Sequence, residues 1–333
     1  MKKILSLALA LTVLLFAFSS CAEPSKGDLM LEADATHDEV VARMVTGAAD
    51  VVILPEPKAT AAINQAKTQG HNYSIKLNLS EEWDKISSNG LAMGCVVVRN
   101  EFIADYEADL VTFLDAYKSS IAFIGNADNK DTAAQMIVDA GIIPKLPIAK
   151  SALNNLYGAI VYEEGSEMKV TLEAFYDAIE LTKPAEEFYY SRTTAANEEA
   201  SRTVKIGVMN GPTGMGMAKL IHDSKNNTAY EFISYSDPQV ATTDLISGEI
   251  DMACLPTNAA ANLANKGQPI SVGAINCLGS LYVIAKDEIN IESVDDLIDK
   301  TVYYGVPTST TEPIFSYILD KNNIKIVSSE DEE

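Results

Sequence analysis

VVARMVTGAADVVILPEPKA, residues 40–59, returns later in the chain as VATTDLISGEIDMACLPTNAA, residues 240–260. Gly47, Asp50, Leu54 and Pro55 of the first copy recur as Gly248, Asp251, Leu255 and Pro256, at one constant offset. Each copy reads as a helix closed by a glycine, a tight turn, a buried strand, and a proline that stops the strand at the sheet's carboxyl edge. Two copies imply two similar α/β units. Ligands of open α/β sheets sit at the carboxyl ends of the strands, so facing units would bring both Leu-Pro corners to one cleft.

Around the repeat, short apolar runs alternate with helix-length amphipathic segments. Strand candidates include DLMLEAD from 28, GCVVVRN from 94, VKIGVMN from 204, SLYVIAK from 280 and TVYYG from 301. Alternation of this kind predicts α/β lobes with largely parallel sheets. From 101 to 182 the pattern turns helical. Leu110, Phe113, Leu114, Tyr117, Ile121 and Ile124 recur at three- and four-residue steps, one buried face of a long helix. FYYSRTTAANEEASRT, residues 188–203, is polar and small and reads as a linker; the acidic end, 326–333, reads as a disordered tail.

The chain opens with Lys2 and Lys3, an apolar run from Ile4 to Phe18, and small residues Ser19 and Ser20 before Cys21. That pattern is an export signal over residues 1–20, shorter than the roughly 20 residues of a spanning helix. A cysteine directly after the small residues points to lipid attachment at Cys21, with 21–26 as a tether; ordinary cleavage leaving a free Cys21 is the alternative. Net charge is −22, and loss of the signal lysines makes the remainder more acidic still. Nucleic acid, which needs clustered Lys and Arg, is excluded as a partner. Cys95, Cys254 and Cys277 have no metal spacing, and the first two lie in apolar runs, so no metal or cofactor is expected.

Several segments together carry a resemblance to a known family. VKIGVMNGPTGMGMAKLI (204–221), LISGEIDMACLPTNAAANLANKG (245–267), GAINCLGSLYVIAK (273–286) and the run from Ser293 to Ile324 come first; VTGAADVVILPEP (45–57), LNLSEEWDKIS (77–87), LAMGCVVVRNEF (91–102), FLDAYKSSI (113–121) and EFYY (187–190) complete it. The first group resembles the amino-terminal half, and the second group the second half, of the nitrate/sulfonate/taurine-type substrate-binding proteins of ABC importers, to which thiamine-pyrimidine binders are related. The order is reversed relative to that family, which implies a circular permutation with the former ends joined through TTAANEEASRT. The resemblance implies a type II, two-lobed periplasmic-binding-protein-like α/β fold. Lobe two would span 27–100 plus 280–325 and lobe one 101–279. Two hinge crossings would lie near Arg99–Glu101 and Asn276–Gly279. It also implies a small-molecule ligand, ABC permease subunits as partners, and a place on the extracytoplasmic face of the cell membrane.

The candidate site follows from strand ends in both lobes. Asn210, Gly211, Pro212, Thr213 and Gly214 follow the first strand of lobe one, where glycines let backbone amides approach a ligand; a plain helix-starting turn is the alternative. Thr257 and Asn258 hold the lobe-one corner and Glu56 the lobe-two corner, each as ligand contact or helix cap. A carboxylate at Glu56 would select an amine, amidine or ring N–H. Thr308, Ser309 and Thr310 precede a helix that one of them, or Thr311, caps, leaving the others for ligand. His37 starts a helix and faces the cleft or the surface, and Asn276 stands at a crossing. A hydrolase is disfavoured: the histidines are His37, His71 and His222, and neither G-x-S-x-G nor H-E-x-x-H occurs. A sensing receptor and a pyrimidine-forming enzyme on the same fold remain the alternative functions.

Overall fold

Gly47 and Gly248 end their helices in the same way. In the computed structural model, which describes residues 26–197, 201–307 and 309–327, both adopt the left-handed conformation (φ 73° and 84°). Each donates its amide back to the last turn of its helix, His37–Thr46 or Pro238–Ser247, where a side chain with a Cβ would be strained. The strands that follow, Val51–Pro55 and Met252–Pro256, are buried and lie in two different sheets.

In chain order the strands are β1 Gly27–Asp34, β2 Val51–Pro55, β3 Tyr73–Asn78, β4 Ala92–Arg99, β5 Ile160–Glu163, β6 Val204–Met209, β7 Tyr230–Tyr235, β8 Met252–Pro256, β9 Ile270–Leu278, β10 Leu281–Lys286, β11 Thr301–Gly305 and β12 Ile324–Val327. One six-stranded sheet runs β12-β1-β11-β2-β10-β3 and the other β5-β9-β4-β8-β6-β7. In the first, β12, β1, β11 and β2 are mutually parallel and β10 runs antiparallel to β2 and β3. The second repeats the plan: β7, β6 and β8 are parallel, and β4 runs antiparallel to β8 and β9. The two lobes thus place the repeat strand, β2 or β8, between one parallel neighbour and one reversed strand. That reversed strand, β10 or β4, is in each case the first one made after the chain arrives from the other lobe.

The crossings lie side by side. Gly279 N donates to Leu91 O at 2.7 Å, joining the segment before β4 to the turn between β9 and β10. The second crossing is where the sequence places it; the first comes earlier than Arg99–Glu101. Ala92–Arg99 belongs to the second sheet, so its lobe begins at Ala92 and the boundary expected at residue 100 moves. The physical reason is burial: Ala92 and Gly94 to Val98 are covered on both faces between β8 and β9, and the polar RNEF that follows marks a strand end, not a passage between lobes.

The long helix Asn100–Ile124 buries Leu110, Phe113, Leu114, Tyr117, Ile121 and Ile124, the stripe that the periodicity defines. The described residues of 188–203 are not a free tether. Phe188, Tyr189 and Tyr190 are buried, and Tyr190 N donates to Val272 O. Beyond them Thr193 N donates to Glu107 (2.8 Å), Asn197 Nδ2 to Asp109 (2.7 Å) and Ser201 N to Asp109 (3.1 Å), so the segment is zipped along the long helix. Ile326 and Val327, expected in the tail, complete β12. The signal, Cys21, Thr308 and residues 328–333 lie outside the described residues.

Candidate functional site

Parallel strands of both lobes deliver their carboxyl ends to the seam between the lobes. From β2 the chain turns at Glu56–Pro57 into the helix Lys58–Thr68; from β6 it turns through Asn210 and Gly211. These corners meet: a Cβ added to Gly211 (φ 131°) would lie 3.9 Å from the Pro57 ring. Glu56 N donates to Ser280 O (2.9 Å), which ties the lobe-two corner to the crossing itself.

Glu56 is 2 % exposed. Its Oε1 accepts from Thr60 Oγ1 (2.8 Å) and from Asn155 Nδ2 of the other lobe, and its Oε2 accepts from Thr60 N at 3.3 Å. The carboxylate therefore caps the first turn of its helix and reaches across the seam at once. Asn155 ends the helix Leu146–Asn155, and its carbonyl accepts from Tyr282 Oη of lobe two at 2.7 Å. Ser151, one turn earlier, lies 3.4 Å from Thr60 Oγ1. Asn155, Ser151, Thr60 and Tyr282 are the seam residues that sequence reasoning missed. Nothing in SALNNLYG distinguishes an asparagine at an interface from one at an ordinary helix end.

The lobe-one loop is held from beneath. Asn276, 1 % exposed, donates from Nδ2 to Thr213 O (3.0 Å), and its Oδ1 has no partner among the described residues. Gly94, opposite on β4, makes this possible: a Cβ there would come within 2.3 Å of Thr213 Cγ2 and 2.5 Å of Asn276 Oδ1. Asn276 thus positions the Gly211–Thr213 turn. Thr257 is turned inward, since β4 runs beside β8 and Thr257 Oγ1 donates to Ala92 O at 2.6 Å. Its hydroxyl is spent inside lobe one, whereas the carboxylate of Glu56, its equivalent in the repeat, reaches across the seam. Asn258 is half-buried on the following turn.

The remaining candidates lie at strand ends of both lobes. Asn210 is exposed and accepts from Ser234 Oγ (2.9 Å). Pro212 and Gly214 lie in the short helical turn Pro212–Met215, where a Cβ on Gly214 would strike Met209 O. Ser309 Oγ accepts from Thr311 N at 3.3 Å, whereas Thr310, in the cap position, makes no side-chain cap bond. His37 packs beside Gly305; its Nδ1 is buried without a partner among the described residues, and desolvation followed by the nearby Lys58 charge lowers its pKa, favouring the neutral ring. Lys58 is paired with Asp38.

Open cavities lie elsewhere. One of about 480 Å³ sits at the amino ends of the lobe-two strands, lined by Asp50, Asp299, Lys300 and Tyr303, and one of about 510 Å³ separates the helices His37–Thr46 and Lys58–Thr68. None of the candidate residues lines either. At the seam the lobes touch, so access to Glu56 requires them to part.

No family model and no curated protein matches this chain. Solved structures do align. An amino acid ABC transporter substrate-binding protein from Streptococcus pneumoniae, bound to L-arginine, aligns over 87 % of this chain and 69 % of its own at 11 % identity, with a TM-score of 0.30. The periplasmic VFT2 domain of BvgS from Bordetella pertussis covers 86 % and 72 % at 12 % identity and a TM-score of 0.32. An arginine 3rd transport system periplasmic binding protein from Legionella pneumophila covers 86 % and 73 % at 10 % identity and a TM-score of 0.30.

Proposed function

We propose that the chain is an extracytoplasmic solute-binding protein, not an enzyme, that closes two lobes on a small molecule and delivers it to the permease subunits of an ABC importer. The observation that carries this reading is the pair of lobes with one strand plan, joined by two adjacent crossings, whose repeat-strand corner at Glu56–Pro57 abuts the Gly211 loop of the other lobe. Such a geometry hinges without unfolding, and a solute bridging both corners stabilises the closed form by its differential contacts. The expected result of a thermal-shift screen of nitrogen and sulfur metabolites is at least one saturable stabiliser, worth about 2.7 kcal/mol at a hundredfold excess over Kd. A wholly unresponsive protein contradicts the reading.

The export pattern and Cys21 support a lipid anchor on the outer face of the cell membrane. Intact-mass analysis of membrane-extracted protein should show acylated Cys21; an unmodified chain in the medium argues against it. We propose further that the chain order is circularly permuted. Lys26 N donates to Asn323 O at 2.6 Å and β1 pairs with β12, so both boundaries of the rearrangement lie together, a condition for a permutation that preserves the fold. A chain re-cut to begin at Val204, with 27 joined to 327 through a short glycine linker that keeps β12, should give the same melting profile; failure to fold would count against the permutation.

A further inference from the structure

The carboxylate at the seam has no cation. Among the described residues Glu56 forms no ion pair; its donors are the Thr60 hydroxyl, the Thr60 amide and the Asn155 carboxamide, all neutral. Lys58, two positions on, is engaged by Asp38. A buried carboxylate served only by neutral dipoles is costly, and the cost is offset when a positive group arrives. The surroundings add to the demand. The helix Leu146–Asn155 ends at Glu56, and the carboxyl end of a helix carries partial negative charge.

We propose that Glu56 is the cation-recognising group of the binding seam and that the Asn155 carboxamide occupies it in place of the ligand's nitrogen. The ligand class is then an amine, amidine or guanidine carrying a protonated nitrogen. This rests on the solute-capture reading above and names its substrate class. The placeholder role follows from how Asn155 is fixed. Its side chain is held at the carboxylate only by neutral groups, Nδ2 donating to Glu56 and to Thr60 Oγ1 at 3.3 Å, and it leaves Glu56 when the lobes part. A charged N–H donor in the vacated position makes a charge-assisted bond, stronger than the amide it displaces. Thr60, bonded to the same oxygen, holds the carboxylate in place during the exchange. The result is a seam that is neutral-bonded when it closes without ligand and ion-paired when it closes on one.

The test uses the full chain without its signal, with putrescine and agmatine as cationic probes and taurine and sulfate as anionic ones, read by calorimetry and thermal shift. Cationic binding to wild type should weaken about tenfold or more in Glu56→Gln, an isosteric change that keeps the Thr60 contact. Asn155→Ala removes the competitor and should leave cationic affinity unchanged or raise it a few-fold. Circular dichroism verifies that both variants fold. Cationic binding indifferent to Glu56→Gln overturns the proposal, as does loss of cationic binding in Asn155→Ala, which would make Asn155 a ligand contact. Saturable taurine or sulfate binding that Glu56→Gln leaves intact also overturns it while sparing the capture reading. Failure of these probes and of the wider metabolite screen alike counts against both.

Discussion

Trp83→Ala should lower the unfolding free energy by about 3–5 kcal/mol, the cost of deleting a fully enclosed large aromatic. Trp83 is 1 % exposed and lies in the short helix Leu79–Asp84, just before the first crossing. Its ring meets Tyr317 of its own lobe at 5.0 Å and Phe175 of the other lobe at 5.8 Å between centroids. Its Nε1 donates to Asn89 O at 2.8 Å, on the crossing segment. One side chain therefore packs both lobes and holds the strand between them. Chemical unfolding followed by circular dichroism measures the loss. A change below about 1 kcal/mol would mean that the contact between Trp83 and Phe175 does not hold the lobes together.

Arg202→Ala should cost about 3–5 kcal/mol and Lys286→Ala less than about 1 kcal/mol, although each cation serves the equivalent aspartate of the repeat. Asp251 has a side chain 4 % exposed; it accepts both guanidinium arms of Arg202 at 3.0 Å and the Lys205 amide at 2.9 Å. Its counterpart Asp50 pairs with Lys286 at 2.7 Å with 65 % of its side chain exposed. Removing Arg202 strands a buried charge, and it also strips the cation from the Phe102 and Tyr106 rings. Removing Lys286 leaves Asp50 in water. Equal losses for the two variants, measured by denaturant midpoints, would show that burial is not what separates the two copies.

The contrast also marks what was legible in the sequence. The repeat could be read because glycine in a left-handed cap and proline at a strand end are demanded by backbone geometry, which a sequence records directly. The two α/β units followed. The lobe boundary at residue 100 did not hold, because a strand's sheet depends on which partners flank it, and GCVVV is equally at home in either. The site was legible only in part. Glu56 reached the seam because a corner after β2 has nowhere else to point. Thr257, its equivalent, was turned into its own lobe by β4, a neighbour 160 residues away in the chain at Cys95–Leu255 and thus invisible to local pattern. Asn155 and Ser151 come from a helix that only tertiary packing brings against Thr60. Gly94 reads as a strand glycine; its purpose, room for Thr213 and Asn276, appears only when three segments are assembled.

The central claim is that a small solute is held between the lobes and closes them. Distances between spin labels placed at Gln65→Cys in lobe two and Gln239→Cys in lobe one, both exposed positions, test it most directly. The native Cys95, Cys254 and Cys277 are buried and take up no label, and Cys21 is replaced by Ser for the measurement. With a stabilising solute from the screen at saturation, the distance distribution should collapse to a single narrow population, and without it a second, more open population should be present. A distribution unchanged by a solute that binds with one-to-one stoichiometry would contradict closure on the ligand and place the binding site outside the seam.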